Sequence, residues 1–165
     1  MMDEAKKAKW TSTYYNGDFY LIETWSGYRR SSRDLIGKQH ILKPQATTVE
    51  LGTALLDALA HSRFLSLDEI DDFFDYEKRR ESYAIWIQSL MEQHNYKSKS
   101  ALFKNMANCG VQVVDGVMEI MPMRHEKLEG WGREKDDGIE NVFIPAYSSP
   151  TVVGDALLLA FSRCE

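Results

Sequence analysis

Apolar residues along the chain follow the short periods of β-strands in its first and last thirds. Residues 19–25 are rich in aromatic and β-branched side chains, which favour strands. Asn16-Gly17 before them is a strong turn signal and predicts a partner strand over residues 10–15. The pair Asp115-Gly116 lies between two apolar runs and predicts a hairpin with a type I′ turn. The predicted strands are residues 10–15, 19–25, 38–42, 111–114, 117–121 and 139–144.

The helical pattern includes two similar units about a hundred residues apart. In each, a strand ending in proline is followed by a hydroxyl residue and a helix with an early glycine, Gly52 in the first and Gly154 in the second. Thr47 and Glu50 have the spacing of a capping box. Glycine in a helix costs about 1 kcal/mol relative to alanine, so its recurrence indicates either a packing role, such as close contact between the helix backbone and the sheet, or simply tolerance near a helix end. The predicted helices begin at residue 47 or 48, span 76–95 and 98–106, and begin again at residue 150.

The order of these elements predicts the fold class. Strand–helix, further helices, a hairpin and a final strand–helix indicate an α/β (α+β) protein. We expect a single mixed, largely antiparallel five- to six-stranded sheet with helices packed mainly on one side. The 165 residues suit one domain, residues 1–165, in which residues 1–9 are expected to form a frayed, basic lead-in.

Composition excludes several classes of protein. Hydrophobic residues make up 44% and charged residues 27% of the chain, as in ordinary globular proteins. The net charge of −5 argues against general nucleic-acid binding, because phosphate contacts need a basic face. No apolar run is long enough to span a membrane, and the charged first ten residues do not resemble a secretory signal. Cys109 and Cys164 have no metal-site spacing and are expected to be buried or terminal thiols in a reducing compartment.

No common catalytic, cofactor or metal motif is present in the sequence. The four histidines are scattered, and His125-Glu126 is the only adjacent pair of an imidazole and an acid. A small enzyme or ligand-binding domain that uses the polar loop 124–138, with His125 and Glu129, is therefore the alternative function. It would need a deep apolar pocket with a perturbed carboxylate or histidine.

An acidic stretch with interleaved aromatic residues lies between residues 68 and 77. Asp71, Asp72 and Asp75 would attract a basic partner, and Phe74 would supply an anchoring contact. The other interpretation is a solvated turn before the long helix, with the acids complementing the helix dipole.

Two tryptophans stand at further candidate contact points. Trp131 lies between glycines in the polar loop, so it either plugs one end of the sheet or serves as an exposed anchor. Trp25 ends the strand that contains Glu23 and precedes Arg29 and Arg30, which suits the rim of a pocket as well as a strand capping its own core.

Several phrases of the chain resemble one known family. They are residues 21–27 (LIETWSG), 37–42 (GKQHIL), 61–64 (HSRF), 96–106 (YKSKSALFKNM), 125–131 and the closing segment from Ser148 to Cys164. Together they resemble the immunity proteins of bacterial contact-dependent growth inhibition (CDI) systems, from Phe19 to the end of the chain.

The resemblance implies a non-enzymatic, cytoplasmic protein without cofactors. Such a protein binds one-to-one to the cognate C-terminal toxin domain of a delivered effector, often a basic nuclease, and blocks it. Related immunity proteins accept a toxin β-hairpin by β-augmentation, and the hairpin 109–124 would offer an open sheet edge for this. A structural subunit of another complex is a further alternative. The predicted partner-binding residues are Glu23, Trp25, Asp71, Asp72, Phe74, Asp75, Met121, Arg124, His125 and Trp131.

Overall fold

The computed structural model describes residues 5–165 and has the predicted α+β architecture. Within that range, seven strands form a main sheet, two short strands form a second sheet, and five helices pack around them. The strands are β1 Lys9–Tyr15, β2 Tyr20–Gly27, β3 Ser31–Arg33, β4 Gln39–Leu42, β5 Ala107–Val114, β6 Val117–Pro122, β7 Arg124–Lys127, β8 Gly130–Gly132 and β9 Val142–Pro145. The helices are α1 Thr48–Ala60, α2 Leu67–Phe73, α3 Tyr76–His94, α4 Lys99–Phe103 and α5 Pro150–Ser162.

The main sheet is six strands wide. β3 and β4 lie one after the other along the same edge of β2, and β1, β5, β6 and β9 follow on the other side. All of these strand pairs are antiparallel, and a single parallel bridge joins Gly27 to Phe64. The predicted width and the largely antiparallel character are thus confirmed.

Helices cover both faces of the sheet, which corrects the expectation that they pack mainly on one side. Along β2, Tyr20 and Ile22 join a core with α1 and α5, whereas Leu21 joins a second core with α3 and α4. Since successive strand residues point to opposite faces, the consecutive apolar pair Leu21-Ile22 indicates burial on both sides. The long helix α3 covers the second face with Trp86 and Leu90.

The recurring glycines mark the point where α1 and α5 cross. A Cβ on Gly52 would lie 1.8 Å from the carbonyl oxygen of Pro150, and one on Gly154 would lie 1.8 Å from that of Thr48. The contact is therefore reciprocal, backbone against backbone, between the first turns of the two helices. The N-cap of each helix lies beside this contact: the Thr47 side chain accepts a hydrogen bond from the Glu50 amide, and the Ser149 side chain accepts one from the Val152 amide. The glycines have a packing role, but between helices rather than between a helix and the sheet.

The segments expected to be irregular contain more structure than predicted. Residues 1–4 of the expected frayed lead-in lie outside the described residues, but Ala8 is buried and Lys9 begins β1. The acidic connector contains α2, and the polar loop 125–138 contains part of β7 and all of β8. Short elements of this kind leave too few periodic positions for a sequence pattern to detect.

The predicted hairpin forms, but it does not offer an open edge. Asp115 and Gly116 have φ values of +50° and +76°, as a type I′ turn requires. However, β1 flanks β5 and β9 flanks β6. The expectation of a free edge at residues 109–124 is wrong, because the chain returns through β9 and pairs with β6. The outer strands of the main sheet are β9 on one side and β3 with β4 on the other.

The two cysteines are neighbouring free thiols, with sulfur atoms 3.5 Å apart. Cys109 is buried in the core beneath α5, and burial raises the pKa of its thiol. Cys164 is half-buried after the end of α5, and its hydrogen bond with Cys109 lowers its pKa. This agrees with the prediction of buried or terminal thiols.

Candidate functional site

Glu23 is the centre of a buried hydrogen-bond network on the second face of the sheet. Its side chain is 2% exposed. Oε1 accepts hydrogen bonds from Trp25 Nε1 at 3.2 Å and from Arg33 Nε at 2.7 Å, and Oε2 accepts one from Trp86 Nε1 at 3.0 Å. One carboxylate therefore orients two indoles and a guanidinium from β2, β3 and α3. Glu23 was predicted to bind a partner, and the structure places it beneath the surface as a positioning residue.

Above this network lies an open groove of about 520 Å³, here called the aromatic groove. Its floor is rigid: the Arg33 guanidinium stacks 3.6 Å from the centre of the Trp86 ring, and the Tyr14 ring lies 5.7 Å from Trp86. Burial raises the pKa of Tyr14 and keeps its hydroxyl protonated. The aromatic and arginine residues that line the groove are Tyr14, Trp25, Arg33, Tyr76, Arg79, Arg80, Tyr83, Trp86 and Trp131.

Strand and helix periodicity explain why these residues meet. In β2, Glu23 and Trp25 alternate with residues that face α1, so both point toward α3. In α3, Arg79, Tyr83 and Trp86 are spaced four and three residues apart and share one face of the helix.

The small sheet of β7 and β8 closes one wall of the groove. Trp131 donates a hydrogen bond from Nε1 to the carbonyl oxygen of Met106 at 2.8 Å, and its ring meets Tyr14 edge-on at 5.6 Å. The His125 ring stacks on the other side of Trp131 at 4.8 Å and also hydrogen-bonds the Leu128 carbonyl oxygen at 2.8 Å. Trp131 therefore both packs against the second core and lines the groove.

Glu129 links this wall of the groove to α3 and α4. The Tyr83 hydroxyl donates to Glu129 Oε1 at 2.9 Å, and Lys99 Nζ lies 3.9 Å from the same oxygen. Burial, followed by this hydrogen bond, raises the pKa of Tyr83. Among residues 5–165, no hydrogen bond joins His125 to Glu129, because each is held by its own contacts.

The acidic stretch borders the groove at the start of α3. Asp75 caps the helix by accepting a hydrogen bond from the Lys78 amide at 3.0 Å, and Asp72 is paired with the Lys78 ammonium group. Phe74 lies edge-on to Phe73 and beneath the Arg30 guanidinium, at 4.4 Å. Asp71 is exposed. Of these acids, Asp71 is therefore the most available to a partner, while Asp72 and Asp75 already have structural roles.

Met121 and Arg124 lie outside the aromatic groove. Met121 pairs with Gly110 across β5 and β6, where a Cβ on the glycine would lie 3.4 Å from Met121 Cε. Arg124 is half-buried in β7, and NH1 lies 3.8 Å from Glu134. The predicted site residues thus divide into the groove group (Glu23, Trp25 and Trp131, with His125 behind), the α2–α3 group and this separate pair.

The sequence interpretation missed the groove's arginines and the helix residues opposite them. Neither Arg33 nor Trp86 was among the predicted site residues. A signal was present, since Arg79, Tyr83 and Trp86 give α3 a cationic and aromatic face. The hydrogen bond from Trp86 to Glu23 joins two residues that lie far apart in the sequence, so it depends on the tertiary fold.

A second buried carboxylate stands next to the groove network. Asp34 accepts hydrogen bonds from Ser26 Oγ at 2.6 Å and from Arg63 Nε and NH2 at 2.8 and 3.0 Å. Burial alone would raise the pKa of Asp34, but the hydrogen bonds from Arg63 and Ser26 outweigh it and lower the pKa. This network links β2 and the segment that follows β3 to the residues just after α1.

Aromatic side chains and arginines in a half-open groove are typical of protein-recognition surfaces. Within residues 5–165, no group of three or more metal-ligating side chains is assembled, and no helix is long and apolar enough to cross a membrane. The fold and the groove thus define a small α+β protein with the surface of a binding protein.

The chain belongs to the CDI immunity protein family, whose model (CdiI: CDI immunity protein) matches residues 9–164. It is 39% identical to the immunity protein CdiI-YPIII of Yersinia pseudotuberculosis serotype O:3 (strain YPIII), over 99% of both chains.

Solved structures show the same fold. One is a CdiA-CT/CdiI toxin and immunity complex from Yersinia pseudotuberculosis, with a TM-score of 0.91 at 39% identity over 99% of this chain and 100% of that one. Another is protein NMB0488 of unknown function from Neisseria meningitidis, with a TM-score of 0.90 at 37% identity over the full length of both chains.

Proposed function

We propose that this immunity protein binds the toxin domain encoded immediately upstream of it, one-to-one, and neutralises it in the cytoplasm without catalysis. The observation that carries the proposal is the likeness, at 39% identity and a TM-score of 0.91, to a protein solved as a toxin and immunity complex. The aromatic groove is the proposed contact surface, because it combines several aromatic anchors with arginines held in place from below.

A basic nuclease fits the acidic character of the chain. The net charge is −5, and α2 with the start of α3 carries Asp68, Asp71 and Glu77 on the surface. A toxin that grips phosphate presents a basic face, and the acidic stretch would steer it toward the groove. The predicted partner-binding residues Asp71, Asp72, Phe74 and Asp75 belong to this part of the proposed interface. Met121, Arg124 and His125 would extend it along β6 and β7.

β-Augmentation remains part of the proposal, with a changed location. Because β9 covers β6, an added toxin strand would pair with β9 or with the edge formed by β3 and β4. At β3, the Arg33 carbonyl oxygen already accepts a hydrogen bond from Arg79 NH1 at 2.5 Å, so this edge is partly occupied. The other candidate edge is β9, where Phe143 is 61% exposed and could contact an added strand.

Co-expression tests the proposal directly. The upstream toxin domain should arrest growth when expressed alone, and this chain should restore growth and elute with it as a one-to-one complex. Absence of both protection and a complex would refute the proposed function. Hydrogen exchange in the complex should show new amide protection at residues 142–144 of β9, in Ser31–Arg33 or in Gln39–Leu42, whereas unchanged exchange in all three would remove β-augmentation.

A charge reversal tests steering by the acidic stretch. Asp71→Lys should slow association, more strongly at low salt, and leave dissociation nearly unchanged. Asp155→Lys, an exposed acid on α5, is the charge-matched control. Equal association rates for the two variants would place the acidic stretch outside the encounter surface.

A further inference from the structure

The aromatic groove is locally cationic in an acidic protein. Among residues 5–165, three arginines line it, Arg33, Arg79 and Arg80, whereas Glu129 is the one carboxylate in its lining. The chain as a whole carries a net charge of −5. The charge of the groove is thus opposite in sign to the net charge of the protein and to the charge of the neighbouring acidic stretch.

Two of the three arginines already have carboxylate partners. Arg33 Nε lies 2.7 Å from Glu23 Oε1, and Arg80 NH2 lies 3.2 Å from Glu77 Oε2 in the preceding turn. Arg79 differs, since among residues 5–165 no carboxylate oxygen lies within 4.0 Å of its guanidinium. Its nearest acids act only at longer range.

The contacts of Arg79 hold it in place without neutralising it. NH1 donates to the Arg33 carbonyl oxygen at 2.5 Å, and the guanidinium stacks 4.4 Å from the centre of the Phe73 ring. Nε is buried and has no hydrogen-bond partner among the described residues. Burial lowers the pKa of Arg79, yet a guanidinium stays charged at any physiological pH. A half-buried, pre-positioned cation without a counter-ion is expensive for the free protein.

We propose that the aromatic groove receives an acidic side chain of the toxin domain, an Asp or Glu whose carboxylate pairs with Arg79. This inference rests on the proposed function and specifies the chemistry of its contact. Guanidinium and carboxylate form paired, directional hydrogen bonds, and the surrounding aromatic walls would exclude water from them. The binding surface of this protein would then carry both kinds of charge, with acidic steering residues outside the groove and a cationic anchor inside it.

The test compares three variants in binding to the purified upstream toxin domain. Arg79→Gln should weaken the complex by ten- to a hundredfold, mainly through faster dissociation. Arg79→Lys keeps the charge but loses the planar fork and should recover only part of the affinity. Arg163→Gln is the matched control, because Arg163 is a half-buried arginine at the end of α5 and does not line the groove, and it should change affinity by less than about threefold.

A double-mutant cycle identifies the toxin's acid and guards against misfolding of a single variant. Each Asp and Glu of the toxin domain is changed to its amide and combined with Arg79→Gln or Arg79→Lys. One toxin position should show coupling of at least tenfold in Kd, whereas the others should be additive.

The outcomes separate this inference from the proposed function. A tight wild-type complex with Arg79 variants within twofold of wild type, or with no coupled toxin acid, overturns the anchor but leaves the immunity function intact. Failure of the wild-type chain to bind the toxin overturns both.

Discussion

Glu23→Gln is the substitution that tests the groove network most directly. The change keeps the size of the side chain but removes the negative charge beside Arg33, whose side chain is 13% exposed. It also replaces one acceptor oxygen by an NH2 donor, although three donors converge on this position. At least one indole N–H or the guanidinium then loses its partner in a buried site.

The expected loss follows from the burial of the pair. Breaking one side of a buried ion pair costs about 3 to 5 kcal/mol, and the partial exposure of Arg33 reduces this to about 2 to 4 kcal/mol. Removing both partners, in Glu23→Gln with Arg33→Gln, should cost clearly less than the sum of the single changes, with coupling of about 2 kcal/mol.

Urea unfolding at neutral pH measures these free energies. Glu77→Gln is the control, since the same chemical change there affects an ion pair with Arg80 in which both side chains are about two-thirds exposed. It should cost less than about 1 kcal/mol. If Glu23→Gln proved no more destabilising than Glu77→Gln, or if the double variant were additive, the network would not be a desolvated, interdependent unit.

Two further predictions concern the scaffold around the groove. Gly52→Ala should reduce the free energy of unfolding by at least about 2 kcal/mol, because the new Cβ would lie 1.8 Å from a backbone carbonyl oxygen of α5, and this overpacking exceeds the gain in helix propensity. Asp34→Asn should destabilise the protein at pH 7 but progressively less as the pH falls below about 4, because the pKa of Asp34 is lowered in the folded state. As the pH falls, the unfolded state therefore takes up the proton first. The stabilising contribution of the Asp34 carboxylate is fully present above the ordinary aspartate pKa and is lost as the pH falls through the lowered pKa of the folded state.

Both predictions have simple checks by urea unfolding. For the glycine, Gly130→Ala is the control, since its nearest neighbour would be the Lys127 Cβ at 3.4 Å, and an equal loss in the two variants would refute the close helix crossing. For Asp34, a difference from wild type that stayed constant between pH 7 and pH 3 would contradict a lowered pKa.

The class of fold and most elements could be predicted because their causes are local. The Asp115-Gly116 turn tolerates positive φ at both positions and so defines the hairpin. Thr47 and Ser149 satisfy the first amides of their own helices, which sets where α1 and α5 begin. The short elements β3, β7, β8 and α2 were missed, since three to seven residues carry little periodicity.

The candidate site was only partly predictable. Trp25 was recognised at the end of a strand and Trp131 between glycines in the polar loop, and both line the groove. Glu23 was predicted to bind a partner, but the hydrogen bonds that hold it in a buried position come from Trp25, Arg33 and Trp86 on three different elements. No sequence pattern shows that Arg79 lacks a carboxylate, because that depends on which side chains the fold places around it.

The sequence by itself thus determined most of the secondary structure, the α+β class and, through its family phrases, the kind of protein. Turns, caps and strand periodicity depend on a few neighbouring residues, so they can be recognised in the sequence alone. Only the tertiary structure decided that helices cover both faces, that β9 closes the hairpin's edge, and that the two recurring glycines meet each other. It also placed a cationic groove on an acidic protein, because ion pairs and backbone contacts between segments far apart in the chain form only when the whole sheet brings those segments together.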